Sequence, residues 1–199
     1  MTNPRRSTVL RALGATALAA LSALTLPAAP ATAAPQGLAS TEWHGYVCDD
    51  GYTRIRTPFN QLVERNQYST WAQAVQNPDT GGYNQQWKLC HHRDDSQAFI
   101  FRNRQNENFC LGLWKENPAD PTEGFVDGAV LSVFDCTGLI YSNQVFGLIH
   151  PTAGSQQVLI RISHSGSMLT IADPNGGAGS PVTQYGYRAT AFTLEHLAG

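Results

Sequence analysis

The sequence lacks several features that would point to common functions. After residue 34, no apolar run approaches the ~18 residues that a membrane-spanning helix needs, so we predict no membrane span. Basic residues are not in excess, because 13 Lys+Arg stand against 15 Asp+Glu and the arginines are dispersed among acids. Nucleic-acid binding requires a basic face. We therefore predict no nucleic-acid partner.

Catalytic and metal-binding patterns are also missing. The six histidines are scattered or adjacent, without a His-x3-His spacing that would group metal ligands. Paired acids such as Asp94-Asp95 are sequence neighbours, which point to opposite faces of a strand. Gly154-Ser155 and Gly166-Ser167 lack the second glycine of a nucleophile elbow. The sequence predicts a non-enzymatic protein with no catalytic residues, no metal and no cofactor.

Residues 1–34 have the composition of a secretory signal peptide. Arg5, Arg6 and Arg11 precede an apolar run over 12–26, and small residues follow up to Ala34. The neighbours of Arg5-Arg6 match a twin-arginine signal poorly, which favours the general secretory route. Removal takes three of the 13 Lys+Arg and leaves 10 against 15 Asp+Glu, a net charge of about −5. We predict an extracellular mature chain of about 165 residues, a single-domain length.

The mature chain contains three copies of one unit. Each copy opens on an arginine beside an apolar anchor: Ile55-Arg56, Phe101-Arg102 and Ile160-Arg161. Each closes on an aromatic residue: Trp87 in Asn84-Gln85-Gln86-Trp87, Phe146 in Asn143-Gln144-Val145-Phe146, and Phe192 in Ala189-Thr190-Ala191-Phe192. The separation of anchor and aromatic is 32 residues in the first and third copies (55 to 87, 160 to 192) and 45 in the second (101 to 146). The second copy alone carries the polar, Pro- and Gly-bearing run 115–128, which indicates a loop insertion.

The pattern within each copy is typical of β-structure. Short runs of β-branched and aromatic residues alternate with turn clusters, and no long apolar stripe of 3.6-residue period is present. Three units of about four short strands each would close into a barrel with a hairpin cap. We therefore predict an all-β domain over 48–199, with repeats at about 48–90, 97–149 and 157–197.

Four cysteines in an exported chain favour disulfides over metal ligation. Three pairings are possible. We expect Cys110 to pair with Cys136, because both lie inside the second repeat, and Cys48 to pair with Cys90, because these bracket the first. On a loop-entropy model each bridge would stabilise the fold by roughly 3–4 kcal/mol.

The closing motifs resemble those of a known family. Gln85-x-Trp87 and Gln144-x-Phe146, each after an arginine-bearing opening strand, are similar to the signature of the ricin B-type lectins, whereas the third copy keeps only Phe192. The resemblance covers roughly 48–197 and implies a β-trefoil fold. It also implies that the three closing aromatics are core residues and that Gln85 and Gln144 are largely structural.

The resemblance implies carbohydrate sites built from an acid, an aromatic ring and the Asn-Gln of the closing motif. Such a set works because a ring stacks on the apolar face of a sugar while polar groups bond its hydroxyls. The second repeat keeps Phe134, Asn143 and Gln144 but has Gly112 at the acidic position. We expect the best glycan site there.

The other two repeats are less complete. The first keeps Asn84 and Gln85, with Val63 or Glu64 at the acidic position and Trp71 as the nearest aromatic candidate. The third keeps the aromatic Tyr185, but Thr170 replaces the acid and Ala189-Thr190 replace the amides. No repeat has the full set.

This loss of site residues permits a second interpretation. The phrase 144–154, followed by the strand 158–162, is similar to the trefoil A and C subunits of cytolethal distending toxins. Those subunits are non-catalytic, lack standard sugar sites, bind the host cell and carry a separate nuclease. The resemblance implies a cell-targeting toxin subunit as the alternative to a free lectin. A trefoil protease inhibitor is disfavoured, since inhibitory trefoils do not carry the Gln-x-Trp repeat.

Residues 35–47 precede the first repeat and fit none of its pattern. Trp43 and Tyr46 are expected to pack on the domain as a terminal strap. In the toxin-subunit interpretation the same segment would contact an enzymatic partner.

Overall fold

The structure, a computed structural model, describes residues 42–67, 72–115 and 126–197. The predicted export signal and Trp71 lie outside these ranges. The described strands are β1 (Glu42–Trp43), β2 (Tyr46–Cys48), β3 (Tyr52–Arg56), β4 (Leu62–Arg65), β5 (Ala74–Asn77), β6 (Trp87–His92), β7 (Phe99–Asn103), β8 (Phe109–Leu113), β9 (Leu131–Asp135), β10 (Phe146–Ile149), β11 (Gln157–Ile162), β12 (Met168–Ile171), β13 (Val182–Tyr185) and β14 (Phe192–Leu197). Short 3-10 turns at Tyr83–Gln85 and Ser142–Gln144 precede β6 and β10.

The strands fall into three units of four: β3 to β6, β7 to β10, and β11 to β14. The first and fourth strands of each unit pair antiparallel in a closed ring, β3–β6–β7–β10–β11–β14–β3. Six strands therefore form a closed barrel in which every strand has a paired neighbour on each side. The predicted all-β fold with three repeats is confirmed.

The second and third strands of each unit form a hairpin: β4–β5, β8–β9 and β12–β13. Single β-bridges join the three hairpins to one another, between Gln73 and Ser132, between Val75 and Pro181, and between Val130 and Thr183. The hairpins thus form a triangular cap on the barrel. A barrel of six strands with three linked hairpins is a β-trefoil.

The repeated anchors and closing aromatics form the centre of the core. Trp87, Phe146 and Phe192 are fully buried together with Phe101 and the other opening anchors. The Trp87 indole Nε1 donates a hydrogen bond to the Val63 carbonyl at 3.1 Å, so its polar atom is satisfied. Each fully buried side chain of this size stabilises the fold by roughly 1.5–3 kcal/mol. The motif that marks the repeats therefore also holds them together.

Both predicted disulfides, Cys48–Cys90 and Cys110–Cys136, form in the structure. They lie with Ile100 and Tyr46 in a second, smaller buried cluster outside the main core. Cys48 lies opposite Cys90 because β2 pairs with β6, and β1 pairs in turn with β2. Tyr46 is buried and its ring meets His92 edge-on, with the ring centroids 5.0 Å apart. Residues 42–48 therefore add a hairpin to the edge of β6.

Candidate functional site

In the first unit, the amide of Gln85 connects the turn before β6 to strand β4. Its Nε2 donates to Glu64 Oε2 at 2.8 Å and to the Pro78 carbonyl at 2.7 Å, while its Oε1 accepts the Thr80 N–H at 2.9 Å. The second carboxylate oxygen of Glu64 accepts Asn77 Nδ2 at 2.6 Å. Gln85 and Glu64 are buried and bonded to protein groups. Gln85 and Glu64, two positions of the predicted first-repeat site, therefore stabilise the fold through buried hydrogen bonds.

In the second unit, the structure brings Phe134, Asn143 and Gln144 together around Gly112. A Cβ atom on Gly112 would lie 2.9 Å from Gln144 Cγ and 3.2 Å from the Phe134 ring, so this position has no room for the missing acid. Asn143 and Gln144 are only 2% and 1% exposed. Asn143 Nδ2 donates to the Leu113 carbonyl at 2.8 Å, and Gln144 Oε1 accepts the Tyr141 N–H at 3.1 Å.

Phe134 is half-buried and stacks on Trp114, with ring centroids 5.7 Å apart and an interplanar angle of 20°. Within the described ranges, Asn143 Oδ1 and Gln144 Nε2 have no hydrogen-bond partner. The second-repeat residues therefore form a closed cluster whose accessible part is the pair of rings.

In the third unit, hydroxyl groups replace the acid and the amide. Thr170 Oγ1 and Thr190 Oγ1 are 2.8 Å apart and share a hydrogen bond. Tyr185 meets Tyr187 edge-on at 5.9 Å between ring centroids. Threonine side chains therefore stand at the acid and amide positions of the third unit.

Thr170 and Thr190 line a cleft of about 510 Å³ where the third unit meets the first. The first unit contributes Pro58 and Phe59, which follow β3, and the third contributes Thr170, Asp173 and the segment 187–191. Its volume lies in the range of sites for small ligands, about 300–1,000 Å³. Tyr187 is 77% exposed and Phe59 is 38% exposed. Two accessible aromatic rings therefore border a cleft that also contains hydroxyl, carboxylate and guanidinium groups.

Backbone pairing explains why the cleft opens at this junction. Trp87 pairs with Asn103, and the next residue, Arg104, donates its N–H to the Gln86 carbonyl at 2.8 Å. At the second–third junction, Phe146 pairs with Ile162, and the N–H of Ser163 bonds the Val145 carbonyl at 2.8 Å.

At the third–first junction the register is the same, because Thr193 pairs with Arg56. Continuing this register places Pro58 opposite Ala191. Proline has no N–H, so the bond made at the other two junctions is impossible here. Both residues line the cleft instead.

Side chains form hydrogen bonds across the other two junctions, and we call these two junctions filled. The Arg104 guanidinium lies between two rings, with Cζ 4.2 Å from the Tyr52 centroid and 4.1 Å from the Tyr83 centroid, and it donates to Gln86 Oε1 at 2.6 Å. At the second–third junction His164 Nδ1 and Ser142 Oγ are hydrogen-bonded at 3.0 Å.

Phe59, the residue after Pro58, lies instead against Gly176. The backbone of Gly176 has φ +71°, and a Cβ atom there would overlap the Phe59 ring. Only glycine adopts this positive φ without strain and also lacks the Cβ atom that would overlap the ring. The position of Phe59 at the rim of the cleft thus depends on Gly176.

Hydrogen bonds from the backbone hold the cleft's carboxylate. The N–H groups of Asn175 and Gly177 donate to Asp173 Oδ1 and Oδ2, each at 2.9 Å, and they lower the pKa of Asp173 below its usual range. The carboxylate therefore stays ionised and fixes the turn after β12. Arg188 lies over the Tyr185 ring, with Cζ 5.5 Å from the centroid.

No helix in the described ranges is long and apolar enough to cross a membrane. Over the same residues, no group of three or more His, Cys, Asp or Glu is placed to hold a metal ion.

Comparison with known proteins gives a clear result for the fold. No family model and no curated protein matches the sequence. Among solved structures, the designed three-fold symmetric protein ThreeFoil matches at TM-score 0.61 and 24% identity, over 74% of this chain and 100% of that protein. The Macrolepiota procera ricin B-like lectin, solved with lactose, matches at TM-score 0.56 and 15% identity, over 75% of this chain and 98% of the lectin.

This chain has the fold of the ricin B-type lectins. The cytolethal distending toxin of Actinobacillus actinomycetemcomitans also matches, at TM-score 0.55 and 17% identity, over 73% of this chain and 91% of that chain. The predicted resemblances to ricin B-type lectins and to cytolethal distending toxin subunits are therefore both confirmed at the level of the fold.

Sequence reasoning missed Phe59, Tyr187 and Arg188. It compared positions within each repeat, whereas the cleft lies between repeats. One signal was available: Pro58 follows Arg56-Thr57 at the position where Arg104 and Ser163 supply a backbone donor.

Proposed function

We propose that this protein is a secreted, non-enzymatic carbohydrate-binding protein that holds a glycan in the cleft between its third and first units. The exposed rings of Tyr187 and Phe59 at the rim of that cleft are the observation that carries the proposal. The fold supports it, because the Macrolepiota procera ricin B-like lectin, which shares this fold, was solved in complex with lactose.

The chemistry of the cleft fits a sugar. Aromatic rings stack on the apolar face of a pyranose, and Tyr187 and Phe59 offer such faces. Hydroxyl, carboxylate and guanidinium groups can bond sugar hydroxyls, and Thr190, Asp173 and Arg188 line the same cleft. The function therefore needs no complete acid-ring-amide set within any one repeat.

The second unit provides a second candidate site. Phe134 and Trp114 form a partly exposed stacked pair, and the amides of Asn143 and Gln144 lie beside it. We rank this site below the cleft because both amides are buried.

A glycan array tests the function and ranks the two sites. The mature chain from Pro35, purified under oxidising conditions, is compared with a Phe59→Ala/Tyr187→Ala variant and a Phe134→Ala/Asn143→Ala variant. We expect the first variant to lose retention by about tenfold or more, since stacking contacts dominate sugar affinity. Tyr83→Ala, an exposed ring at a filled junction, is the matched control.

Three outcomes would contradict the proposal in different ways. Undiminished retention by the Phe59→Ala/Tyr187→Ala variant would remove the cleft assignment. Loss of retention in the Phe134→Ala/Asn143→Ala variant alone would move the site to the second unit. A silent array from a folded, disulfide-bonded protein would reject glycan binding.

A cell-binding subunit of a multi-component toxin is the alternative function. The match to cytolethal distending toxin over 91% of that chain favours it as a candidate. Such a subunit needs a partner contact, for which we proposed residues 35–47. Deleting 35–41 keeps Tyr46 and the β1–β2 hairpin in place. Loss of cell activity with unchanged glycan binding would support the subunit, and a neighbouring gene for a nuclease would do the same.

A further inference from the structure

The cleft contains an arginine, Arg188, that forms no ion pair with an acid of the described ranges. Arg188 is exposed and lines the cleft, and its guanidinium contacts the Tyr185 ring. Three other arginines of the domain form ion pairs: Arg54 and Arg56 with Asp79, and Arg102 with Glu107. Within residues 42–67, 72–115 and 126–197, Arg188 has no such ion pair.

Asp173, the carboxylate in the cleft, is engaged elsewhere. Both of its oxygens accept backbone N–H groups of its own turn, from Asn175 and Gly177. It forms no ion pair with Arg188 at 4.0 Å or less. The donors of the Arg188 guanidinium are therefore available to a ligand.

The first–second junction shows how a guanidinium that lies between two units can be held. Arg104 stacks on Tyr52 and Tyr83 and donates to Gln86 Oε1. Arg188 also rests on a tyrosine ring, but no protein oxygen within the described residues takes the place of Gln86 Oε1. An oxygen-bearing ligand group would complete the arrangement, and guanidinium binds carboxylate and sulfate-like oxyanions with paired N–H donors.

We propose that the cleft selects acidic sugars, with the guanidinium of Arg188 binding a carboxylate or sulfate on a sugar ring that stacks on Tyr187. The inference rests on the proposed glycan-binding function and names its ligand class. The carboxylate of a uronic acid and the sulfate of a sulfate ester offer the same oxyanion chemistry, so the test includes both.

The test uses matched pairs of probes that differ in one group. Binding of the mature chain to a glucuronide is compared with binding to the corresponding glucoside, and binding to a sulfated galactoside with binding to its unsulfated form. We expect the acidic member of at least one pair to bind about tenfold tighter, which is typical of a charge-assisted contact. Added salt should reduce this preference.

Two variants assign the preference to one residue. Arg188→Gln should lower the ratio of acidic to neutral probe binding from about tenfold to about one. Arg161→Gln makes the same charge change at an exposed position of strand β11, outside the cleft, and should retain the preference. Rescue of the preference by Arg188→Lys would show that the charge is required.

Equal binding of neutral and acidic probes, or an acidic preference that survives Arg188→Gln, would overturn the inference. In that case, loss of neutral binding in the Phe59→Ala/Tyr187→Ala variant would still support the proposed function. If no probe of either kind binds, both the inference and the proposed function fail.

Discussion

Two of the three junctions between units are filled by protein, and the third is open. The same strand pairing occurs at all three, but Arg104 and His164 form hydrogen bonds across the first two, while Pro58 and Phe59 line a cleft at the third. The closing motif also differs: Gln85 and Gln144 remain where the junction is filled, and Thr190 stands where it is open. The repeat that has lost most of the motif is therefore the one that offers space to a ligand.

The comparison separates two roles of the Asn-Gln motif. In the first unit the Gln85 amide donates hydrogen bonds to Glu64 and Pro78 and accepts one from Thr80. In the second, Asn143 and Gln144 are buried beside Gly112. In both units protein groups bond these amides, so the Asn-Gln motif by itself does not mark the cleft between the third and first units.

The largest effect is expected where the three units are alike. Replacing Trp87, Phe146 or Phe192 by alanine should each lower the free energy of unfolding by about 3–5 kcal/mol, because each ring is fully buried in one shared core. Denaturant unfolding measures the loss, with exposed Tyr187→Ala as the control. A much smaller loss for Phe192→Ala would show that the third unit is not equivalent in the core.

The next prediction contrasts the arginines of a filled and an open junction. Arg104→Ala should cost about 1–2 kcal/mol of stability, because it loses two ring contacts and a hydrogen bond to Gln86. Arg188→Ala should change stability by less than about 0.5 kcal/mol, as expected for an exposed side chain. Thermal unfolding of both variants provides the measurement, and equal losses would contradict the distinction.

Pro58→Ala tests the cause of the opening. The new N–H can donate to the Ala191 carbonyl and draw the two segments together, so we expect slow hydrogen exchange of the residue 58 amide and weaker glycan binding. Stability should change by less than about 1 kcal/mol, since the added bond offsets the greater freedom of the unfolded chain. Fast exchange at residue 58 with unchanged binding would show that proline is not what keeps the cleft open.

The smallest expected effect concerns pH. The pKa of Asp173 is lowered in the folded protein by the N–H groups of Asn175 and Gly177. Its contribution to stability is therefore fully present above the unfolded pKa of about 3.9 and is lost as pH falls through the lower folded pKa. The Tm difference between the parent and Asp173→Asn should shrink over that acidic range. A difference that stays constant down to the acid limit would exclude the carboxylate as its source.

The fold was predictable because its determinants repeat along the chain. Ile55 and Trp87 recur as Phe101 and Phe146 and as Ile160 and Phe192, and these six residues are all buried in one core. The disulfides were predictable for the same reason, since the cysteines fall inside or around single repeats.

The cleft was not predictable from the repeat pattern, because it depends on contacts between distant parts of the chain. Phe59 reaches the third unit only because β14 pairs with β3 to close the barrel. Its position also depends on Gly176, more than 100 residues along the chain. The missing N–H of Pro58 matters only because the Ala191 carbonyl lies opposite it, and the sequence does not show that pairing.

The Cys110–Cys136 bridge determines how the molecule would respond to a protease. It encloses the inserted run 115–128, so a cut of any peptide bond between the two cysteines would leave both pieces covalently joined. Such a nicked molecule would migrate as one band in a denaturing gel without reductant and as two bands after reduction. The third unit (157–197) contains no cysteine, so a cut there would leave the C-terminal fragment attached to the rest of the domain only by strand pairing and packing. A nicked protein that loses glycan binding while the chain before residue 157 stays intact would therefore have been cut in the third unit.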